Sequence, residues 1–174
     1  MAFDSTKVPV SLLAHEIAHQ WWGNLLSIRL RDDSIPWLSE GFATYSDCLF
    51  LEHVDGKAAM QKHLAELAES YRESVVSKNE ESILSAKWGT PGYQPIVYYK
   101  GAHVLHALRY LVGDDKFFTI LRNFTKQYTG KIVTTKDFQH SCEQVYCQKL
   151  DWFFEQWLGR TGLPSFNLSE SKVA

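Results

Sequence analysis

Cysteine is scarce in this chain: three in 174 residues, at positions 48, 142 and 147. Three scattered thiols cannot make a disulfide framework. Cys142 and Cys147 are five apart, which puts them on different faces of a helix, and all three are expected to be ordinary buried thiols. Long apolar runs are also missing, since no uninterrupted stretch reaches the ~20 residues that a membrane helix needs. Positive charge is not in surplus: 18 Lys and Arg face 20 Asp and Glu, for a formal charge of -2 and a pI near 6.4. Without a broad basic field, nucleic acid and anionic membrane surfaces are not expected partners. The N-terminus has no basic segment, and its first apolar stretch, Val8 to Ala14, runs directly into His15, so it does not read as a signal peptide. Nothing in the cysteines fixes a compartment; a cytoplasmic setting is the default expectation. No internal repeat, low-complexity tract or block of like charge stands out, and no confident strand alternation is found. The nearest is Leu25 to Leu30, a candidate for a short extended piece.

What the chain does have is a 45% hydrophobic and 14% aromatic composition over a length suited to one domain, residues 1–174. A chain of this size buries roughly 70% of its unfolded surface. The periodicity is helical almost throughout. Val10 to Trp22 is mostly apolar and is stopped by Gly23-Asn24. Ser39 is placed to cap a second helix running to about His53. Asp55-Gly56 opens a third, where Met60, Leu64, Leu67, Tyr71 and Val75 form one stripe. Residues 79–96, with Gly89, Pro91, Gly92 and Pro95, read as a loop. Further helices are expected from about Tyr98 to Val112, from an Asp114 cap, from a Thr134 or Thr135 cap, and from Asp151 to Gly159. The expected class is mainly α, with about seven helices.

Within the first helix stands His15-Glu16-Ile17-Ala18-His19. Helix positions i and i+4 share a face, about 6 Å apart. Two imidazoles so placed can reach one tetrahedral Zn²⁺ at about 2.0–2.1 Å. Glu16, one residue round the helix from His15, is beside the metal, where a carboxylate can hold a water. With 7 His and 11 Glu in the chain, chance supplies only about 0.02 such motifs. A third protein ligand is needed, with a fourth position left open. Glu40, at the start of the second helix and twenty-one residues beyond His19, is the candidate. Taken alone it would read as a solvated first-turn acid favoured by the helix dipole.

The segments His15-Glu-Ile-Ala-His-Gln-Trp-Trp-Gly-Asn24 and Trp37-Leu-Ser-Glu-Gly-Phe-Ala-Thr-Tyr45 resemble the two signature segments of the zinc aminopeptidase N family. That family includes alanyl aminopeptidases and the leukotriene hydrolase. The resemblance makes His15, His19 and Glu40 the zinc ligands, one Zn²⁺ per chain, and Glu16 the general base. Tyr98-Tyr99-Lys100-Gly101-Ala102 is similar to the family's Tyr-x-Lys-Gly-Ala stretch, which puts Tyr98 on the tyrosine that stabilises the tetrahedral intermediate. Trp152 to Leu158 and Gly162-Leu-Pro164 resemble the close of the catalytic domain. The implied fold is the helical lobe of a thermolysin-like peptidase domain, and the implied substrate is a peptide cut at its N-terminus.

Two departures accompany the likeness. The family usually places eighteen residues between the second His and the Glu; here residues 20–39 intervene, and the excess falls at Ser34-Ile35-Pro36. Loop closure depends weakly on length, so zinc binding is expected to survive. The family's Gly-x-Met-Glu-Asn stretch, which anchors the substrate amine, has no counterpart, and neither has the β-rich lobe that carries it. The chain is therefore expected to pair with that lobe, or with itself, through an apolar face, and to be weak or inactive alone. Endopeptidase or epoxide hydrolase chemistry on the same site, and a catalytically silent zinc-binding module, remain as alternatives. Thr44, four residues after Glu40, is a candidate support for the ligands. His103, His106, Asn24, Trp21, Trp22 and Trp37 read as structural, and Gly101 as a point of close helix packing.

Overall fold

The computed structural model describes residues 9–28, 36–76 and 80–163. Among them are seven α-helices: α1 (Val10–Ala18), α2 (Glu40–Asp55), α3 (Lys57–Val76), α4 (Gly101–Val112), α5 (Asp114–Tyr128), α6 (Thr135–Tyr146) and α7 (Asp151–Phe154). The mainly α class expected from periodicity is what is found. The inserted Ser34 and Ile35, and Pro164, lie outside the described residues.

α2 is the central helix. Its inward side chains Phe42, Ala43, Tyr45 and Cys48 are buried, and α1, α3 and α4 pack around it. Aromatic rings carry the core away from the site. Phe138 of α6 makes edge contacts to Phe42 at 4.9 Å, Phe124 at 5.1 Å and Trp37 at 6.1 Å between centroids. Edge-to-face pairs of this kind add to plain area burial. Trp37 is 0% exposed, and its indole N–H donates to Thr135 Oγ1 at 3.0 Å, which ties the turn before α2 to the start of α6. Thr134 caps α6 reciprocally: Asp137 N–H donates to Thr134 Oγ1, and Thr134 N–H donates to Asp137 Oδ2.

Two expected boundaries move. α1 ends at Ala18, four residues short of Trp22, because the Trp22 carbonyl is drawn out of the helix ladder. It accepts from Ser39 Oγ at 2.7 Å and from His19 Nδ1 at 3.0 Å, and Gly23 follows at φ +136°. The chain then makes two tiny strands, β1 (Trp22–Gly23) and β2 (Leu26–Ser27), paired in parallel. The extended piece expected over Leu25 to Leu30 is found at Leu26–Ser27, with Arg29 and Leu30 outside the described residues, and it bonds to the α5–α6 turn through Ser27 N–H to the Lys131 carbonyl and Val133 N–H to the Ser27 carbonyl. The expected loop stops earlier, at Gly92, since Tyr93 and Gln94 are already helical. Pro95–Lys100 winds as a π-helix that runs straight into α4. Likewise α7 continues as a π-helix over Glu155–Gly159.

Two side-chain expectations also change. Cys147 is exposed, since it ends α6 in the left-handed conformation at φ 61°, whereas Cys48 and Cys142 are buried. Trp21 is 48% exposed, because the helix has already ended and the ring has no helix beyond it to pack on; Trp22 and Trp37 are core residues as expected. No helix among the described residues is long and apolar enough to cross a membrane.

Candidate metal centre and catalytic cleft

The last turn of α1, the first turn of α2 and the π-helix before α4 meet at one cleft of about 430 Å³. His15, Glu16, His19, Glu40 and Tyr98, all named from the sequence, line it together with Thr44, Asp47 and His63. His15 Nε2 lies 3.4 Å and His19 Nε2 lies 3.3 Å from Glu40 Oε2. Atoms bound to one tetrahedral zinc at about 2.0–2.2 Å are separated by roughly 3.4 Å. The three donors therefore fit a single zinc ion, and their nitrogen and oxygen chemistry suits it.

The imidazoles are aimed by what lies behind them. His19 Nδ1 must carry its proton, because its partner is the Trp22 carbonyl, and Ser39 Oγ lies 3.1 Å from the same nitrogen. That leaves the Nε2 lone pair facing Glu40. Ser39 was expected to cap α2; it makes no such bond and instead holds His19. Thr44 Oγ1 donates to the Glu40 carbonyl at 2.7 Å, so its lone pairs face His15 Nδ1 at 3.5 Å. Thr44 thus stands behind His15, as its spacing suggested. Outer partners of this sort fix tautomer and ring orientation in metal sites.

Burial alone would raise the pKa of Glu40. The His15 and His19 imidazoles beside it outweigh burial and hold the carboxyl below its usual range. Glu40 is therefore a carboxylate at neutral pH. Tyr98 stacks on His15, with centroids 5.9 Å apart and planes within 3°. Burial first, then the negative charge of Glu40, drives the Tyr98 pKa well above the normal phenol value, so the hydroxyl keeps its proton. Glu16 is solvent-facing on the cleft side of α1. Tyr93 packs edge-on against Tyr98 at 6.4 Å, and its own pKa is pushed up to about 12 by burial and by Glu40.

His103 and His106 are structural, as expected: the first bonds the Tyr99 carbonyl and the second lies 3.2 Å from the Tyr45 hydroxyl. Asn24 is exposed in the turn after β1. Sequence reasoning missed Ser39, Asp47 and His63 around the ligands. Asp47 and His63 come from different helices, and only the seven-residue step from Glu40 to Asp47 could have suggested one of them.

Comparison with known proteins settles the family. The Peptidase family M1 domain matches residues 2–157. The chain belongs to the M1 peptidase family. Glutamyl aminopeptidase of Sus scrofa is 24% identical over 173 residues, covering 94% of this chain and 18% of that protein. Aminopeptidase M1-D of Oryza sativa subsp. japonica is 30% identical over 172 residues, covering 92% and 19%. This M1 chain thus spans about one-fifth of the length of these curated relatives. An M1 zinc metallopeptidase from Deinococcus radiodurans superposes with a TM-score of 0.76 at 27% identity, over 99% of this chain and 37% of that one. A mutant of the same enzyme, solved with a Tyr-Ser-Ala substrate, gives 0.75 at 26% identity over 94% and 36%. Native yeast LTA4 hydrolase, at 22% identity and 0.76 over 91% of this chain and 27% of that one, shares the fold.

Proposed function

We propose that this M1 chain is the helical, zinc-holding part of an aminopeptidase that hydrolyses the peptide bond after an N-terminal residue. The observation that carries the reading is the convergence of His15 Nε2, His19 Nε2 and Glu40 Oε2 at tetrahedral spacing. His15, His19 and Glu40 hold one zinc per chain. Bound there, zinc supplies a Lewis acid that polarises a carbonyl and acidifies a water. The Glu16 carboxylate accepts a proton from the attacking water and returns it to the departing amine nitrogen. The protonated Tyr98 hydroxyl donates a hydrogen bond to the carbonyl oxygen as it gains charge, a type of contact typically worth about 3–4 kcal/mol. The Tyr-Ser-Ala substrate of the Deinococcus relative supports a peptide as the class of substrate.

One face of the chain favours a partner. Val10, Leu13, Ile17 and Trp21 are each about half exposed or more, and with Ala14, Ala18 and Phe50 they line an apolar hollow of about 300 Å³. This face packs on a β-rich lobe of the kind that the family carries, and the substrate amine is anchored from that lobe. The chain alone is then a poor aminopeptidase.

Elemental analysis of protein prepared without chelator tests the reading. One zinc per chain, lost in His19→Ala, is expected, because two remaining ligands rarely retain zinc. A chain that neither contains zinc nor takes it up would overturn the proposal.

A further inference from the structure

Asp47 stands on the edge of His15 opposite Glu40. Its Oδ2 lies 3.8 Å from His15 Nδ1, and its Oδ1 lies 3.1 Å from His63 Nε2. The carboxylate is 7% exposed, so it needs partners to remain charged. α2 and α3 supply them from two directions: Asp47 is seven residues past Glu40 on the same face of α2, and His63 reaches across from α3. Neither residue has a part in the reaction described above.

We propose that His63 is a positioning residue for the metal, acting through Asp47 on His15. The inference rests on the zinc-holding role proposed for His15, His19 and Glu40. A hydrogen bond from His63 Nε2–H fixes Oδ1, and a carboxylate so fixed can offer only Oδ2 to His15. Facing Oδ2 and Thr44 Oγ1, His15 keeps its proton on Nδ1 and its lone pair on Nε2, toward the metal. Without His63 the carboxylate is free to rotate, and the His15 ring loses the support that holds its tautomer. The charge on His63 opposes that of Asp47, but it lies beyond the carboxylate and beside an open cleft, where water screens it. Orientation is therefore the larger effect.

The same cluster has a second chemical reading. Ligand atoms of Asp47, Cys48 and His63 all lie within 4.8 Å of one another, close enough for a metal of their own. Burial argues against it: Cys48 is 0% exposed and does not line the cleft that holds the zinc donors.

The test is zinc affinity and zinc dissociation rate, measured on the full chain by competition with a chromophoric chelator, with circular dichroism as the check on folding. Asp47→Asn is expected to lower affinity by about 10–100-fold, the usual effect of losing such a partner. His63→Leu should lower it less, about threefold to tenfold, below that range, because it removes only the support of the carboxylate. His63→Gln should stay near the parent, because its amide N–H can still donate to Oδ1. The deciding measurement is the double variant: if His63 acts through Asp47, His63→Leu costs nothing further once Asp47→Asn is present. Should His63→Leu fail to fold, His63→Asn, with a shorter amide, replaces it. Parent-like zinc binding in folded His63→Leu, or equal losses in both backgrounds, would overturn the inference while leaving the zinc site intact. Two zinc ions per parent chain, one of them lost in His63→Leu, would overturn it in favour of a second site. A parent chain that binds no zinc would remove both readings.

Discussion

Gly41 of α2 and Gly101 of α4 are in backbone contact: a Cβ built on Gly101 would lie 2.9 Å from the Gly41 Cα. This contact sits between the two halves of the site. Glu40 immediately precedes one glycine and Tyr98 is three residues before the other, so the crossing sets how near the carboxylate and the phenol come. The close packing read for Gly101 in the sequence is what the helices use.

Gly101→Ala should therefore destabilise the protein. Ala is a better helix former than Gly by about 1 kcal/mol. Overpacking typically costs 1–3 kcal/mol, and here the obstructing atom is backbone, which cannot swing aside. The net loss is expected at roughly 0–2 kcal/mol, toward the upper end because the obstructing atom is backbone. Thermal denaturation should show a fall of several degrees. The zinc affinity of the variant should fall with it, because Glu40, the residue before Gly41, shifts against His15 and His19. An unchanged melting temperature would mean that α2 and α4 can separate freely.

Glu16→Gln should retain zinc and lose turnover. Gln fills the same space but cannot accept the proton. Tyr98→Phe should also retain zinc, and turnover should fall by roughly 10²–10³. The measurement is hydrolysis of aminoacyl anilides at matched zinc content, with the β-rich lobe supplied if the chain alone is silent. Turnover near that of the parent in either variant counts against the assigned role.

Lys100 gives a pH signature. It is 0% exposed, donates to the Arg160 carbonyl at 2.7 Å and lies 3.9 Å from Glu80, which also accepts from Tyr71 and from the Gly162 N–H. Burial pulls its pKa down to about 8, against a small opposing pull from Glu80. Between that value and the ordinary lysine pKa near 10.4, the unfolded chain binds the extra proton and the folded chain does not. Stability should accordingly rise with pH across that window, by up to about 3 kcal/mol, and be flat in this respect below it. The difference in unfolding free energy between the parent and Lys100→Met isolates the effect from other titrating groups. A difference that does not vary from pH 7.5 to 10.5 would show that the ammonium is well solvated.

Arg109 is a structural anchor. Its guanidinium makes paired hydrogen bonds to Glu52, at 2.6 and 3.2 Å, and to Asp114, at 2.9 and 2.8 Å, and it lies over the Phe118 ring at 5.2 Å. Removing one partner of a buried pair costs about 3–5 kcal/mol. Arg109→Met should fall at the low end, because Asp114 is largely solvent-facing. Arg109→Lys should recover only part, since an ammonium cannot bond two carboxylates in the same planar fashion. Chemical denaturation of the three proteins measures both losses.

The pattern of what could be read in the sequence follows the range of the interactions. His15, His19 and Glu16 were legible because an i, i+4 pair on a helix declares its own geometry. The Thr134 cap is local as well; the expected Asp114 cap is not formed, because Gly113 stands at the N-cap and the Asp114 carboxylate accepts from Arg109. What was not legible depends on contacts between distant segments. Ser39 looked like a cap, but its hydroxyl is taken by His19 and by the Trp22 carbonyl, which also cuts α1 short. His63 of α3 and Arg109 of α4 carry no signal in the sequence. Their partners, Asp47 and Glu52, lie 16 and 57 residues away, and no local period points to them. Pro95 and Ile96, the start of the π-helix, were read as loop because a proline ends helical patterns from the left; it can equally begin one, since the missing N–H is unused in a first turn.

The exposed face of α1 makes the last prediction. Val10, Leu13, Ile17 and Trp21 recur at three- and four-residue steps, so they form one stripe rather than scattered exposures. The hollow that they line with Phe50 is almost entirely apolar. Burial of apolar surface is favourable by roughly 25 cal/mol per Å², which makes a contiguous patch of this kind adhesive. The chain by itself is expected to self-associate at micromolar concentration. Leu13→Glu with Trp21→Glu should restore a monomer, because a carboxylate buried in a second apolar face would be left without a partner. Neither residue bonds a metal ligand, so the double variant should keep its zinc. Light scattering across a dilution series, beside elemental analysis, reads both quantities. A parent chain that is monomeric at every concentration would show that the stripe is not sticky enough to need a cover. A double variant that loses zinc would show instead that this face supports the metal helix.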